Sequence, residues 1–134
     1  MRYFCPKCWS DFGEDLRLCP RCGLNIAEFW KNKDYVEQLI FALGHPEPAT
    51  PIRAAWILGK LGDERAVEPL IDLVDKTQDV YIARAAVKAL GRLGTQRARQ
   101  FLRNIASTHP AAMVRNSAAA LVAGGSERSK ERET

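Results

Sequence analysis

At 134 residues, 46% of them hydrophobic, the chain suits one modest domain beside a small module. No apolar run approaches the roughly 18 residues a membrane-spanning helix needs, and the longest candidate, "AAALVAGG", leaves a soluble, cytoplasmic protein with no membrane partner as the expectation. The net charge of +4 hides an uneven layout: residues 1–33 carry +2, residues 34–76 carry −4 and residues 77–125 carry +6, so an acidic half faces a basic half.

The first element is "YFCPKCWSDFGEDLRLCPRCG" (3–23), which holds all four cysteines in two Cys-Pro-basic-Cys units. The spacing Cys-x2-Cys-x10-Cys-x2-Cys lets the thiolates of Cys5, Cys8, Cys19 and Cys22 converge on one tetrahedral ion at about 2.3 Å each. The proline after each leading Cys stiffens its turn, and Gly23 suits a left-handed backbone that aims amides at sulfur. Trp9 stands at the matching position of the first turn and departs from that pattern. The start "RYFCP" shows neither a charged nor an apolar leader, so a reducing cytosol is expected. Disulfides or a redox dithiol are therefore disfavoured against one structural metal. Zinc is favoured over iron, because structural four-cysteine sites are usually zinc; rubredoxin-type iron uses similar turns, but the ten-residue gap is short for that fold. The stretch resembles the short zinc ribbons at the ends of many bacterial and archaeal proteins. The ribbon is bounded at 1–25. Residues 26–33 read as a linker in which Phe29 and Trp30 glue it to the next domain.

Strand formers are scarce after Gly23, while Ala, Leu, Arg and Glu dominate, which predicts helix. "AAWILGKLGDERA" (54–66) answers "AAVKALGRLGTQRA" (85–98), with Gly59 against Gly91, Leu61 against Leu93 and Gly62 against Gly94. "VEQLIFAL" (36–43) likewise answers "VEPLIDLV" (67–74) and, more loosely, "RQFLRNIA" (99–106). A period near 32 with helical patterning means stacked helical hairpins, near 34–62, 65–94 and 97–124. In each, an amphipathic first helix precedes an alanine-rich second helix, and each Leu-Gly-x-Leu-Gly segment ends its helix at a glycine. Pro48 and Pro51 are read as preceding the second helix of the first hairpin. The fold class is thus all-α, a short α-solenoid of three hairpins over 34–125 behind the ribbon, with a polar tail at 126–134 that is disordered or extends the last helix. The segment "AAWILGKLGDERAVEPLIDLV" resembles a HEAT-type repeat of the phycobilin-lyase class. That resemblance implies an interaction scaffold more readily than an activity, and the paired His-Glu steps of an iron-binding enzyme branch are absent from this sequence.

No catalytic constellation stands out. His45 and His109 both precede a proline two repeat periods apart, too far to share a metal, and read as solvated turn histidines. The better candidate is a surface. Arg84, Lys88 and Arg92 recur at i, i+4 and i+8, one exposed helical stripe. Their equivalents one repeat earlier are Ile52, Trp56 and Lys60, which sets Trp56 beside the cations across a groove. The leading expectation is a non-catalytic adapter that binds an acidic protein through Trp56, Lys60, Arg84, Lys88 and Arg92. Nucleic acid is the alternative, carried by Arg2, Lys7, Arg17 and Arg21 with the basic repeats and opposed by the acidic block. A bilin lyase subunit, the third reading, rests on the resemblance alone. The apolar residues Met113, Val114, Leu121 and Val122 cannot all turn inward if nothing stacks on them, so a homodimer through the C-terminal hairpin, or a partner, is expected to cover that end, the alternative being a tail that folds back as a cap.

Overall fold

The structure, a computed structural model, describes residues 3–123. The expected polar tail at 126–134 lies outside the described residues.

The ribbon is one small unit built twice. Strand β1 (Tyr3–Phe4) pairs antiparallel with β2 (Asp11–Phe12), Phe4 opposite Asp11. At the corresponding positions of the second half, Leu18 bridges Asn25 in the same antiparallel sense. Each half closes its turn with the same two backbone bonds. The Cys5 amide donates to Ser10 O (3.0 Å) and the Trp9 amide to Cys5 O (2.8 Å); the Cys19 amide donates to Leu24 O (2.8 Å) and the Gly23 amide to Cys19 O (3.0 Å). Trp9 and Gly23 accordingly share a left-handed backbone, at φ 59 and 80. The departure at Trp9 is therefore one of side chain only, held against a cost of about 1–2 kcal/mol.

The stretch expected as a linker contains a helix, α1 (Ile26–Lys31), capped where the Asn25 side chain accepts the Glu28 amide. Six helices follow in three antiparallel hairpins: α2 (Tyr35–Ala42) with α3 (Ala49–Leu61), α4 (Val67–Lys76) with α5 (Val80–Leu93), and α6 (Gln96–Thr108) with α7 (Ala112–Ala123). A single 3₁₀ turn, Glu64–Ala66, leads into α4. The second helices stack in one layer, α3 on α5 and α5 on α7, and α4 contacts α6 in the other. Among the described residues the only strands are those of the ribbon, and no helix is long and apolar enough to cross a membrane.

Capping sets these boundaries. Asp34 and Glu37 form a reciprocal capping box on α2, and Asp79 and Thr95 accept first-turn amides of α5 and α6. Gly62 and Gly94 end α3 and α5 at φ 71 and 62, a conformation glycine adopts without a Cβ clash. Pro51 does not precede α3: it is buried in its first turn, where a missing amide costs no helical bond. The other glycines of the motif serve packing. A Cβ on Gly59 would lie 3.0 Å from Ala89 Cα, and one on Gly91 would lie 2.7 Å from Leu121 Cδ2. Ala89 and Leu121 are one repeat apart, so the same crossing recurs between consecutive second helices. At the far end, Val114 and Leu121 turn inward, Met113 is half-buried, and Val122 remains exposed.

The turns inside the hairpins repeat as well. His45 Nδ1 accepts the Glu47 amide (3.1 Å), Thr77 Oγ1 the Asp79 amide (3.2 Å) and His109 Nδ1 the Ala111 amide (3.0 Å). The histidines are turn-formers, as their spacing implies. His45, however, is not a freely solvated residue: its ring lies 4.2 Å from Phe4 and 5.2 Å from Trp9, under the ribbon.

Candidate functional site

Two places bring the expected residues together. The first lies in the ribbon, where the paired turns bring Cys5, Cys8, Cys19 and Cys22 within 4.8 Å of one another. Cys5 Sγ is 3.5 Å from Cys22 Sγ, and Cys8 Sγ is 3.6 Å from Cys19 Sγ. All four are free thiols. Tetrahedral bonds of about 2.3 Å put sulfurs roughly 3.8 Å apart, so the four thiols fit one ion. Backbone amides point at the sulfurs too, Lys7 N–H at Cys5 and Arg21 and Cys22 N–H at Cys19, each at 3.4 Å.

The thiols do not titrate alike. The Ser10 hydroxyl and then its backbone hold Cys8 down to about 6. The Cys22 amide draws Cys19 below the ordinary thiol range. At Cys22 a backbone bond with Leu24 pulls downward, but burial and the three neighbouring sulfurs outweigh it and push the thiol up to about 11. Four sulfurs this close cannot all carry charge unaided. A divalent cation removes that repulsion, which is the donor chemistry of a metal site.

The ribbon is docked on the first hairpin by aromatic rings. Phe29 lies 4.8 Å from Phe41 of α2 and 5.0 Å from Trp30, with Lys33 Nζ 5.0 Å over the Phe29 ring. Trp30 also packs on the ribbon's small core of Cys5, Cys19 and Ile26. Phe29 and Trp30 thus join the two parts as expected. Trp9 adds a contact the sequence reading missed: its indole fits against Gly44, where a Cβ would lie 3.6 Å from the ring.

The second site is a groove of about 350 Å³ between α3 and α5. Trp56, Arg84, Lys88 and Arg92 line it together with Ile52 and Tyr81, and no carboxylate lines it. Trp56 is 50% exposed and Tyr81 56%, so both rings present area to solvent. Lys60 Nζ stands 4.5 Å from the Trp56 ring centre, the Arg92 guanidinium 5.9 Å from the same ring, and the Arg84 guanidinium 5.6 Å from Tyr81. Trp56, Lys60, Arg84, Lys88 and Arg92 are therefore brought to one surface, with Lys60 set against the Trp56 ring. Tyr81 was overlooked, although it sits one turn before Arg84 on the same helical face.

Residues 27–123 match the family described as HEAT repeats. A comparison with curated proteins returned no match.

Proposed function

Since the chain belongs to the HEAT-repeat family, we propose that it is a non-catalytic adapter that binds an acidic protein partner through the groove between α3 and α5, with one structural zinc in the ribbon. The observation that carries this reading is the groove itself: three cations, two exposed rings and no carboxylate in one concavity. Exposed aromatic and arginine side chains are the common anchors of protein interfaces, and HEAT-type repeats supply rigid, extended binding surfaces. Within the family, we assign the chain to the phycobilin-lyase-like class on its Leu58-Gly-x-Leu-Gly-Asp63 segment, without carrying over lyase activity.

Zinc is our choice for the ion because a closed shell of four cysteines is its usual structural environment. A cytoplasmic setting suits such a site, since reduced thiols persist there. Elemental analysis should find one zinc per chain; iron in its place would overturn the choice. The adapter reading is tested by capturing partners from nuclease-treated extract on wild type and on Lys88→Glu. A protein retained by wild type and lost from the variant supports it. Retention found only in untreated extract, and falling steeply with salt, would assign the basic surface to nucleic acid.

A further inference from the structure

Resting on the reading of the groove as a docking site for an acidic protein, we infer that this protein is a second copy of the chain, which offers the outer face of its α4 to the groove. The two faces lie on opposite layers of the molecule and carry opposite charge. Along α5, Arg84, Lys88 and Arg92 line the groove, and the helix holds no acid. Along α4, Val67, Leu70, Ile71 and Val74 are buried, which turns Glu68, Asp72 and Asp75 outward. The only cation of α4, Lys76, is its last residue.

Spacing matches as well as sign. Successive cations of the row are four residues apart and rise by about 6 Å, and Glu68 and Asp72 are separated by the same rise. Asp75 stands about 4.5 Å beyond Asp72, a mismatch of about 1.5 Å that the flexible Lys and Arg stems absorb. Within each copy α4 and α5 run antiparallel. Two copies in the same orientation therefore bring the rows into register as Asp75 with Arg84, Asp72 with Lys88 and Glu68 with Arg92. The central pair is the one left uncommitted inside a copy. Glu68 already bonds Arg97, and Arg92 and Arg84 approach the rings of Trp56 and Tyr81. Among the described residues Asp72, Asp75 and Lys88 enter no ion pair, and Lys88 approaches no ring.

The same superposition seats a ring. With α5 of one copy over α4 of the next, α3 stands over the side of α2, because the hairpins follow in the same order. There a cleft of about 390 Å³ is lined by Ile40, Leu43, Pro69 and Leu73, with Asp72 beside them. Trp56 of α3, exposed in the single copy, faces that cleft. Exposed ion pairs fix orientation and partner choice more than affinity, so the seated ring supplies the strength. Groove and α4 face lie on opposite sides of one molecule, so the contact is head-to-tail. It leaves one unused face at each end, and copies add in a row rather than closing as a pair.

The test uses the full chain with its metal, purified with nuclease treatment, and sedimentation over a concentration series at about 0.01 M and about 1 M salt. Between these the screening length falls from about 30 Å to about 3 Å. Wild type should grow past the dimer with concentration at low salt and lose that growth at high salt. Lys88→Glu and Asp72→Lys should each weaken the low-salt association about tenfold or more, and Trp56→Ala should weaken it too. The double variant Lys88→Glu with Asp72→Lys exchanges the two charges and should regain association. All three side chains are exposed, and circular dichroism checks that each variant folds. A wild type that stays monomeric throughout the low-salt series would overturn the inference, while the groove reading keeps its own test in the extract. Association that survives Asp72→Lys, or that the double variant fails to restore, would also overturn it. Association unchanged at high salt would place the contact at the apolar α7 end instead and overturn it likewise. Association present only before nuclease treatment would overturn both readings in favour of nucleic acid.

Discussion

At the scale of single residues, the glycines of the Leu-Gly-x-Leu-Gly segments divide the work. Gly62 and Gly94 supply a left-handed backbone, and Gly59 and Gly91 supply absence of bulk at a helix crossing. Gly62→Ala should therefore cost about 1–2 kcal/mol in denaturant unfolding from backbone strain alone, since a Cβ there meets no neighbour. Gly59→Val should cost at least as much for a different reason, because Ala89 Cα is backbone and can yield only if α3 and α5 separate. Trp9 inverts the logic of the caps. It occupies a position that glycine fills in the second turn, and its strain is offset by the ring seated on His45 and Gly44. Trp9→Gly should keep the metal stoichiometry yet speed amide hydrogen exchange in α2. Unchanged exchange there would mean that the indole does not hold ribbon and hairpin together.

At the scale of elements, ribbon and solenoid have separate cores. The solenoid core runs from Leu39 to Leu121, whereas the ribbon's apolar cluster is Cys5, Cys19 and Ile26. So small an apolar cluster leaves the ribbon's fold to depend on the proposed zinc. Cys19→Ser should abolish metal binding and the ribbon's protection from exchange, while most of the far-ultraviolet helix signal stays. A large loss of helix would show that the solenoid depends on the ribbon for its fold. Between hairpins, Arg65 bonds Asp34 (2.7 Å) and Asp63 (2.8 Å), and one repeat on Arg97 bonds Glu68 (3.1 Å). These arginines tie each hairpin to the one before it, from positions that the repeat period makes equivalent.

At the scale of the whole molecule, charge and ends decide behaviour in solution. The Glu37 amide and then Arg65 hold the Asp34 carboxyl below the usual range, and Arg65 does the same for Asp63. Both groups bind protons more weakly in the folded state. Their contribution is therefore full above about pH 4 and is lost as the pH falls through the lowered folded values. Stability measured between pH 5 and pH 2 should fall less steeply in Arg65→Met than in wild type. At the α7 end, the homodimer expected from the sequence would have Val122, 41% exposed, as its apolar contact, because Leu121 already packs on Gly91. Light scattering of Val122→Glu should then report monomer where wild type reports dimer; a wild-type monomer at high concentration would remove the homodimer. A charge at Leu121 would instead break the α5–α7 crossing, where that side chain meets Gly91.

The amino-acid sequence by itself determined what depends on local spacing. Two Cys-x2-Cys turns specify a four-thiol cluster, a period of 32 specifies stacked hairpins, and Arg84, Lys88 and Arg92 share a face because a helix repeats every 3.6 residues. Only the tertiary structure decided what depends on how layers stack. It fitted Gly59 against Ala89, turned Val114 and Leu121 inward, drew Tyr81 into the groove and slid His45 beneath Trp9. The physical reason is the range of the forces involved. Capping, helical periodicity and chelating turns are satisfied within a few residues of chain, so they leave a pattern that can be read along it. Close approach and ring stacking join residues that are distant in the chain, and their partners exist only once the hairpins have packed.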